Sequence, residues 1–485
     1  MFRWFWPRQE EPPEGALRKL GWGESLFIGF SKIFKGGHLK FTLFMKTKVD
    51  ITHETMYKAL VQAARRHPLL KSRISYKDGK YYYVPMLNWE SNLELETTVS
   101  DDWQEASAKG FRRGFNDEIG PLWHAYLVEI TRKGQQDDDS ADAKHPETKS
   151  YALVLMFNHA IIDGKSAAVV LNDIVQSLNS IIDNVHNYSA EEELKVAPPL
   201  ENALLPGVRP GIWDYVKIFK FLRQFLSAAK NPYTELYPAR ILREPDVDND
   251  ITKIIDFSVP IDPLLQRCRA EKVTIQAAVT AASCLAMLDL LRKKAPETER
   301  LPAPSSYVVD FRRFCEPVIE PQFMGFYAIS NTMPPLNVTG SVTDSKAFWD
   351  IAREASAEIR RYISNPKEPI KTFRVMTQLL NFESLGKKMN EAKDTGLRNG
   401  EAFGISNIGD IEPLFPAGRE GATVEATKVL WATNGAMFCS PFYHYLLSMR
   451  GFLVWSLNWY PNISTEEEAM AYAEKIQEAL KSAVD

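Results

Sequence analysis

The segment from Tyr151 to Ile182 constrains the fold more than any other. An apolar strand, YALVLMF at 151–157, runs out at Asn158 and His159; Asp163 and Gly164 follow, and an apolar helix covers about 166–182. A strand and a helix joined by so short a loop form an α/β unit. The loop holds an imidazole, a carboxylate and a glycine. With eight histidines in the chain, the pattern His-x-x-x-Asp-Gly is expected by chance roughly 0.03 times. An isolated histidine after a strand is more often a satisfied structural group. A titratable imidazole at a strand end, with an acid and a turn glycine behind it, is instead a typical site placement.

The remaining pattern repeats the mixture of strands and helices. The strand-like LKFTLFMKTKV (39–49) leads to a helix from about Thr52 to Arg66 with Met56, Leu60, Ala63 and Ala64 on one face, ended by His67-Pro68. Strands are predicted at 81–85, 92–99 and 122–130, with a short helix near 102–114. The acidic, turn-rich stretch 134–149 is a surface excursion. The second half offers strands near 253–259, 305–311, 325–333 and 404–409, and two or three more between 422 and 459. Its helices fall near 261–270, 274–293, 343–364, 368–393 and 464–482, the last opened by a capping box from Ser464 to Glu467. Both halves interleave strands with helices, which predicts an α/β protein of two similar lobes, 1–195 and 251–485. The segment 196–250 between them is punctuated by prolines from Pro198 to Pro245, yet 212–229 has helical periodicity with a broad aromatic face. That helix either packs over its own domain or lies on a membrane surface.

Composition excludes several classes. With 58 Lys+Arg against 62 Asp+Glu the net charge is −4, without the basic excess a nucleic-acid partner requires. Cys268, Cys284, Cys315 and Cys439 are far apart and show no zinc or disulfide spacing, so no metal is expected. The start, MFRWFWPRQEEPP, is too short for a signal-peptide core, and a cytoplasmic location is expected. Residues 273–288 and 429–449 are uncharged but broken by polar residues or proline; they are expected to be a buried helix and a pair of strands, not membrane spans. No GxSxG elbow of a serine hydrolase occurs.

The chain resembles the chloramphenicol-acetyltransferase-like acyltransferases, the superfamily of plant BAHD enzymes, alcohol acetyltransferases, polyketide-associated acyltransferases and peptide-synthetase condensation domains. The resemblance rests on FNHAIIDGKS (157–166), ALVQAARRHPLLKSRI (59–74), GPLWHAYLVE (120–129), VTIQAAVTAA (273–282), VVDFRRF (308–314), GFYAISN (325–331) and GISNIG (404–409). The DFGWG segment of the plant enzymes is absent, so the alcohol-acetyltransferase and condensation branches are the nearer ones.

The resemblance implies two lobes of mixed sheet flanked by helices, with a tunnel at their interface and the histidine at its middle. It implies acyl-CoA as co-substrate, no tightly bound cofactor, and transfer of an acyl group, acetyl foremost, to the hydroxyl of a small molecule. His159 would be the general base, since an imidazole titrating near 6.5 accepts a proton at neutral pH. Asp163 would turn away from the tunnel and pair with Arg312 or Arg313 of DFRRF, an arginine fork suiting a carboxylate. Gly164 would supply the turn and room for close approach. Ser406 and Asn407 are candidate oxyanion donors, or polar caps of a strand-end turn. Lys387 and Lys388, with Lys393 and Arg398, form a basic cluster that would meet the nucleotide of coenzyme A, or a solvated charged face. His67 and His124 are expected to be packing positions, and His444, in a strand-like aromatic run, to be core or tunnel lining and not a second base. One chain carries both lobes, so a monomer suffices. Two alternatives stand beside this reading: a condensation-type enzyme using a carrier-bound acyl thioester, and a catalytically inactive binding or scaffold homologue. Contact with a membrane surface, through FRWFW (2–6) and the 212–229 helix, is a further possibility.

Overall fold

The computed structural model describes residues 12–34, 36–131, 148–185, 192–226, 232–237, 252–301, 304–380, 400–434, 440–461 and 463–485. Its strands, numbered in chain order, are β1 (Arg18–Lys19), β2 (His38–Thr47), β3 (Ser72–Lys77), β4 (Lys80–Pro85), β5 (Leu95–Ser100), β6 (Trp123–Ile130), β7 (Lys149–Asn158), β8 (Lys253–Pro260), β9 (Ser305–Asp310), β10 (Ala328–Met333), β11 (Gly404–Asp410), β12 (Val424–Thr433), β13 (Phe442–Met449) and β14 (Phe452–Trp459). They form a five-stranded sheet in the order β12-β2-β7-β6-β5, a six-stranded sheet in the order β10-β9-β11-β13-β14-β8, and a small sheet β1-β4-β3. Both large sheets are mixed: β5 runs parallel to β6, and β11 runs parallel to β9 and β13, among otherwise antiparallel pairs.

The strand β7 is apolar because it is central. It pairs with β2 on one side and β6 on the other, and every residue from Tyr151 to Asn158 is buried. Helices enclose that sheet. In α2 (His53–Arg66), the Thr52 side chain caps the first turn by accepting from Thr55 N, and Met56, Leu60, Ala63 and Ala64 are buried as their spacing predicts. It packs against the helix that follows β7, Gly164–Ile182. A third helix, Trp103–Arg113, packs on β6 and β7.

In the second sheet's layer, the helix Ile275–Arg292 is apolar all round because it is enclosed. It contacts the helix Ser345–Ser364 and the terminal helix Glu466–Val484, and 78% of it is buried. Length and composition alone would let it span a membrane; its burial inside the protein core assigns it to packing instead. The other uncharged stretch contains β12 and β13.

One strand of the C-terminal segment belongs to the first sheet. Strand β12 leaves the C-terminal segment and pairs antiparallel with β2, from Val424 opposite Thr47 to Thr433 opposite Leu39. Its buried Val424, Ala426, Val429, Leu430 and Trp431 complete the core of the first sheet, and its backbone covers an edge that β2 would otherwise expose. The capping box of the terminal helix lies one residue later, between Thr465 and Glu468. Ser464 is already committed: its N–H donates to Tyr460 O and its hydroxyl pairs with Tyr233. The helix predicted over 368–393 is observed as Lys367–Leu379, and 381–399 lie outside the described residues.

Candidate active site

The ends of β7, β9, β11 and β12 converge on one cavity of about 250 Å³. At the end of β7 the chain turns sharply, and its polar groups set the turn. Asn158 Oδ1 accepts from Ala160 N at 3.0 Å while its Nδ2 donates to Asp117 at 2.9 Å. The buried Tyr83 hydroxyl donates to Ala160 O at 2.8 Å.

His159 lines the cavity. Its Nδ1 lies 2.8 Å from the carbonyl of Ile162. A carbonyl only accepts, so Nδ1 carries the proton and Nε2 keeps its lone pair. The ring stacks on Phe27 at 4.2 Å and meets the edge of Phe326 at 5.2 Å. Burial lowers its pKa below 6.5; the Ile162 carbonyl and the Asp163 carboxylate pull the other way without restoring it. The ring is therefore neutral at pH 7, in the tautomer that accepts a proton at Nε2.

Asp163 also lines the cavity, and its carboxylate is fully engaged. Its Oδ1 accepts from Ser166 N at 3.2 Å and Ser166 Oγ at 3.0 Å, capping the helix that begins at Gly164. Its Oδ2 accepts from Arg312 Nη1 and, at 3.2 Å, from Tyr327 N. Arg312 is buried, donates its other arm to Phe323 O at 3.2 Å and lies over the Tyr327 ring. Arg313, one residue on, is exposed. Burial alone would raise the Asp163 pKa, but Arg312 and Ser166 outweigh it and hold the carboxyl below its ordinary range. Gly164 does not have a left-handed φ. What it provides is space: a Cβ there would stand 2.3 Å from Ile408 Cγ2.

A second ion pair runs beside the first. Lys165 Nζ lies 2.9 Å from Asp310 Oδ2, and Asp310 Oδ1 accepts from Arg312 N at 3.0 Å. The sequence reading missed this pair, although Lys165 follows Gly164 directly and Asp310 stands two residues before Arg312. It also missed the aromatic walls: Phe27 and Phe30 from the helix Trp22–Phe34, Phe326, Trp431 of β12, and Tyr443 and Tyr445 of β13. The i, i+2 spacing of the two tyrosines was the available signal.

Ser406 and Asn407 of β11 also line the cavity. Asn407 Oδ1 accepts from Gly409 N at 2.9 Å, which leaves its amide hydrogens for a ligand. The other described histidines lie elsewhere. His67 donates to Asp173 at 2.8 Å; His124 is buried with its pKa pushed down to about 3; His444 accepts from Trp455 Nε1 at 3.1 Å. Lys387, Lys388, Lys393 and Arg398 lie outside the described residues. Among the described residues no cluster of three or more His, Cys, Asp or Glu could hold a metal ion.

No protein-family model and no curated protein matches the sequence. Solved structures do match the fold. The trichothecene 15-O-acetyltransferase TRI3 of Fusarium sporotrichioides is 16% identical with a TM-score of 0.71, over 96% of this chain and 95% of that one. Polyketide synthase associated protein 5 of Mycobacterium tuberculosis is 17% identical with a TM-score of 0.60, over 98% and 99%. The starter condensation domain of rhizomide synthetase RzmA, solved with C8-CoA, is 12% identical with a TM-score of 0.59, over 96% and 94%. The chain has the mixed α/β fold of these three proteins.

Proposed function

We propose that this protein is an acyl-CoA-dependent acyltransferase that esterifies the hydroxyl of an uncharged, largely apolar small molecule. The observation that carries the reading is His159, which lines the cavity and is held in the proton-accepting tautomer by Ile162 O, in the same loop as the Asp163–Arg312 pair. In the reaction, the acceptor O–H gives its proton to His159 Nε2 as its oxygen attacks the thioester carbonyl carbon. The carbonyl π pair moves to oxygen, and Ser406 and Asn407, which line the same cavity, donate to that oxyanion. As the C=O re-forms, the C–S bond breaks. The departing thiolate takes the proton from the imidazolium, giving the ester and free coenzyme A. No acyl-enzyme is needed, because both substrates meet at one imidazole.

The acceptor class follows from the walls. Six aromatic rings face the cavity, and of its charged side chains Asp163 is paired with Arg312 and Lys165 with Asp310. A charged acceptor would have to break one of these pairs or remain unpaired, and both are costly where water is excluded. The fold relatives support the donor: the RzmA domain was solved with C8-CoA.

The test is thiol release from acetyl-CoA and longer acyl-CoAs against paired acceptors, each a neutral alcohol and its carboxylated counterpart, with the products identified by mass. Acceptor-dependent release with the neutral members, reduced about 10²- to 10⁴-fold in His159→Ala, supports the proposal. Silence from well-folded protein, or release unaffected by His159→Ala, rejects it.

A further inference from the structure

The linker helix Ile212–Leu226, α6 in chain order, presents two unlike faces. One packs on the helix Lys367–Leu379. There Tyr215 donates to Gln378, the Asp214 carboxylate lies 3.8 Å from Lys371 Nζ, and Ile218 is buried. The other carries Ile212, Trp213 and Phe219 at 72%, 74% and 68% exposure, with Val216 at 37%. At about 100° per residue these four positions fall within an arc of roughly 120°. Large side chains on one stripe, left in water, are a surface in want of an occupant.

The charge around the stripe selects the occupant. Between 205 and 230 the sequence has Arg209, Lys217, Lys220, Arg223 and Lys230 against one acid, Asp214, in a chain whose net charge is −4. Asp214 faces the protein; Lys217, exposed and 3.8 Å from the half-exposed Glu368 carboxylate, follows Val216 on the helix, and Arg209 is exposed just before the helix begins. Trp and Phe flanked by cations match the boundary between headgroups and acyl chains of an anionic bilayer, where rings insert and lysines meet phosphates. A second copy of the chain fits poorly: pairing this patch with itself would bring Lys217 and its neighbours against their own symmetry mates. We infer that α6 is a membrane-surface helix that docks the protein on an anionic lipid bilayer through Ile212, Trp213, Val216 and Phe219. Two packed elements connect the other face of this helix to the cavity wall. The helix beneath α6 meets Trp22 through Phe373 and Leu380 O, and Trp22 opens the helix that brings Phe27 and Phe30 to the cavity wall. The inference does not depend on the reaction proposed above.

Flotation of the full chain tests it, with vesicles of phosphatidylcholine alone and with roughly 30% phosphatidylserine. Binding to the anionic vesicles is expected, weakening as salt rises from about 0.1 to about 0.5 M. Trp213→Ser/Phe219→Ser should lower the partition coefficient at least about tenfold. Both side chains point into solvent, so this variant should keep the unfolding midpoint of the parent. Protein that stays with neither vesicle overturns the inference, as does binding that the double variant leaves intact. A concentration-dependent dimer abolished by the same variant would assign the patch to a second copy and overturn it as well.

Discussion

Replacing Asp163 with Asn separates the two tasks of that carboxylate. Asn keeps an acceptor at Oδ1, where Ser166 N and Oγ donate, and Asn caps helices about as well as Asp, so the start of the following helix is retained. The loss falls at Oδ2. An amide nitrogen there would face two donors, Arg312 Nη1 and Tyr327 N, and Arg312 would remain buried with one carbonyl, the Tyr327 ring and Asp310 Oδ1 at 3.7 Å. Breaking one side of a buried pair costs about 3–5 kcal/mol; the nearby Asp310 carboxylate argues for the lower end, about 3 kcal/mol. Urea unfolding should show this loss, and kcat should fall on the order of 10²-fold as the loop that aims His159 relaxes. Because the Asp163 pKa is held down in the folded state, the pair's contribution is complete above the unfolded carboxyl pKa. The gap between parent and variant should therefore be constant from about pH 8 to about pH 5 and close only as pH falls below about 4. Adding Arg312→Leu to Asp163→Asn should recover part of the stability but none of the activity, since the orphaned cation is gone while the loop remains unheld. A single Asn variant that loses under about 1 kcal/mol and keeps full kcat would refute the reasoning.

Two further substitutions or conditions probe the same corner. Gly164→Ala should lower stability and activity together because its Cβ would meet Ile408 Cγ2 at 2.3 Å, and Ile408→Ala in the same chain should restore much of the stability; unfolding curves of the single and double variants decide this. On the acid side, kcat/KM should fall as His159 Nε2 gains a proton, with a midpoint below 6.5 because burial lowers that pKa. A flat profile to about pH 8 above that limb is expected, and an acid limb centred above about 6.5 would count against His159 as the base.

Local signals carried much of the fold. The helix His53–Arg66 was legible because Thr52, the apolar spacing and Pro68 all agree, and β7 was legible because a central strand is apolar on both faces. The membership of β12 was not, because its pairing with β2 joins Thr433 to Leu39. Nothing within a strand states which distant edge it will cover. Ser464 and Thr465 are both competent caps, and the choice was made by Tyr233, which takes the Ser464 hydroxyl. At the site, His159, Asp163 and Gly164 were legible as a motif, and the short 3-10 turn Phe311–Phe314 decided between two arginines by burying Arg312 and exposing Arg313. Lys165 and Asp310 each look like ordinary solvated charges in sequence. Only the approach of two strand ends makes them a pair.

That approach explains why the site and the union of the two sheets are one physical problem. His159, Asp163, Gly164 and Lys165 stand where β7 hands over to its helix; Asp310 and Arg312 stand at the end of β9, and Ile408 on β11. The ion pair of Asp163 with Arg312, the pair of Lys165 with Asp310 and the contact of Gly164 with Ile408 all cross from the first sheet to the second. Strand β12 adds a covalent tie, since its chain continues from the second sheet's segment into the first and back to β13. The imidazole comes from one sheet and Ser406 and Asn407 from the other, so their separation is set by these crossings rather than by either sheet alone. In the reaction proposed above, a shift of about 1 Å between sheets would misplace His159 against Ser406 and Asn407 and cost on the order of 10²-fold in rate. The buried Asp163–Arg312 pair, the partly exposed Lys165–Asp310 pair and a glycine contact resist such a shift better than apolar packing, which tolerates sliding, because charge pairs fix position as well as proximity. The charged residues nearest His159 thus hold the sheets in register, while the aromatic rings form the walls of the cavity.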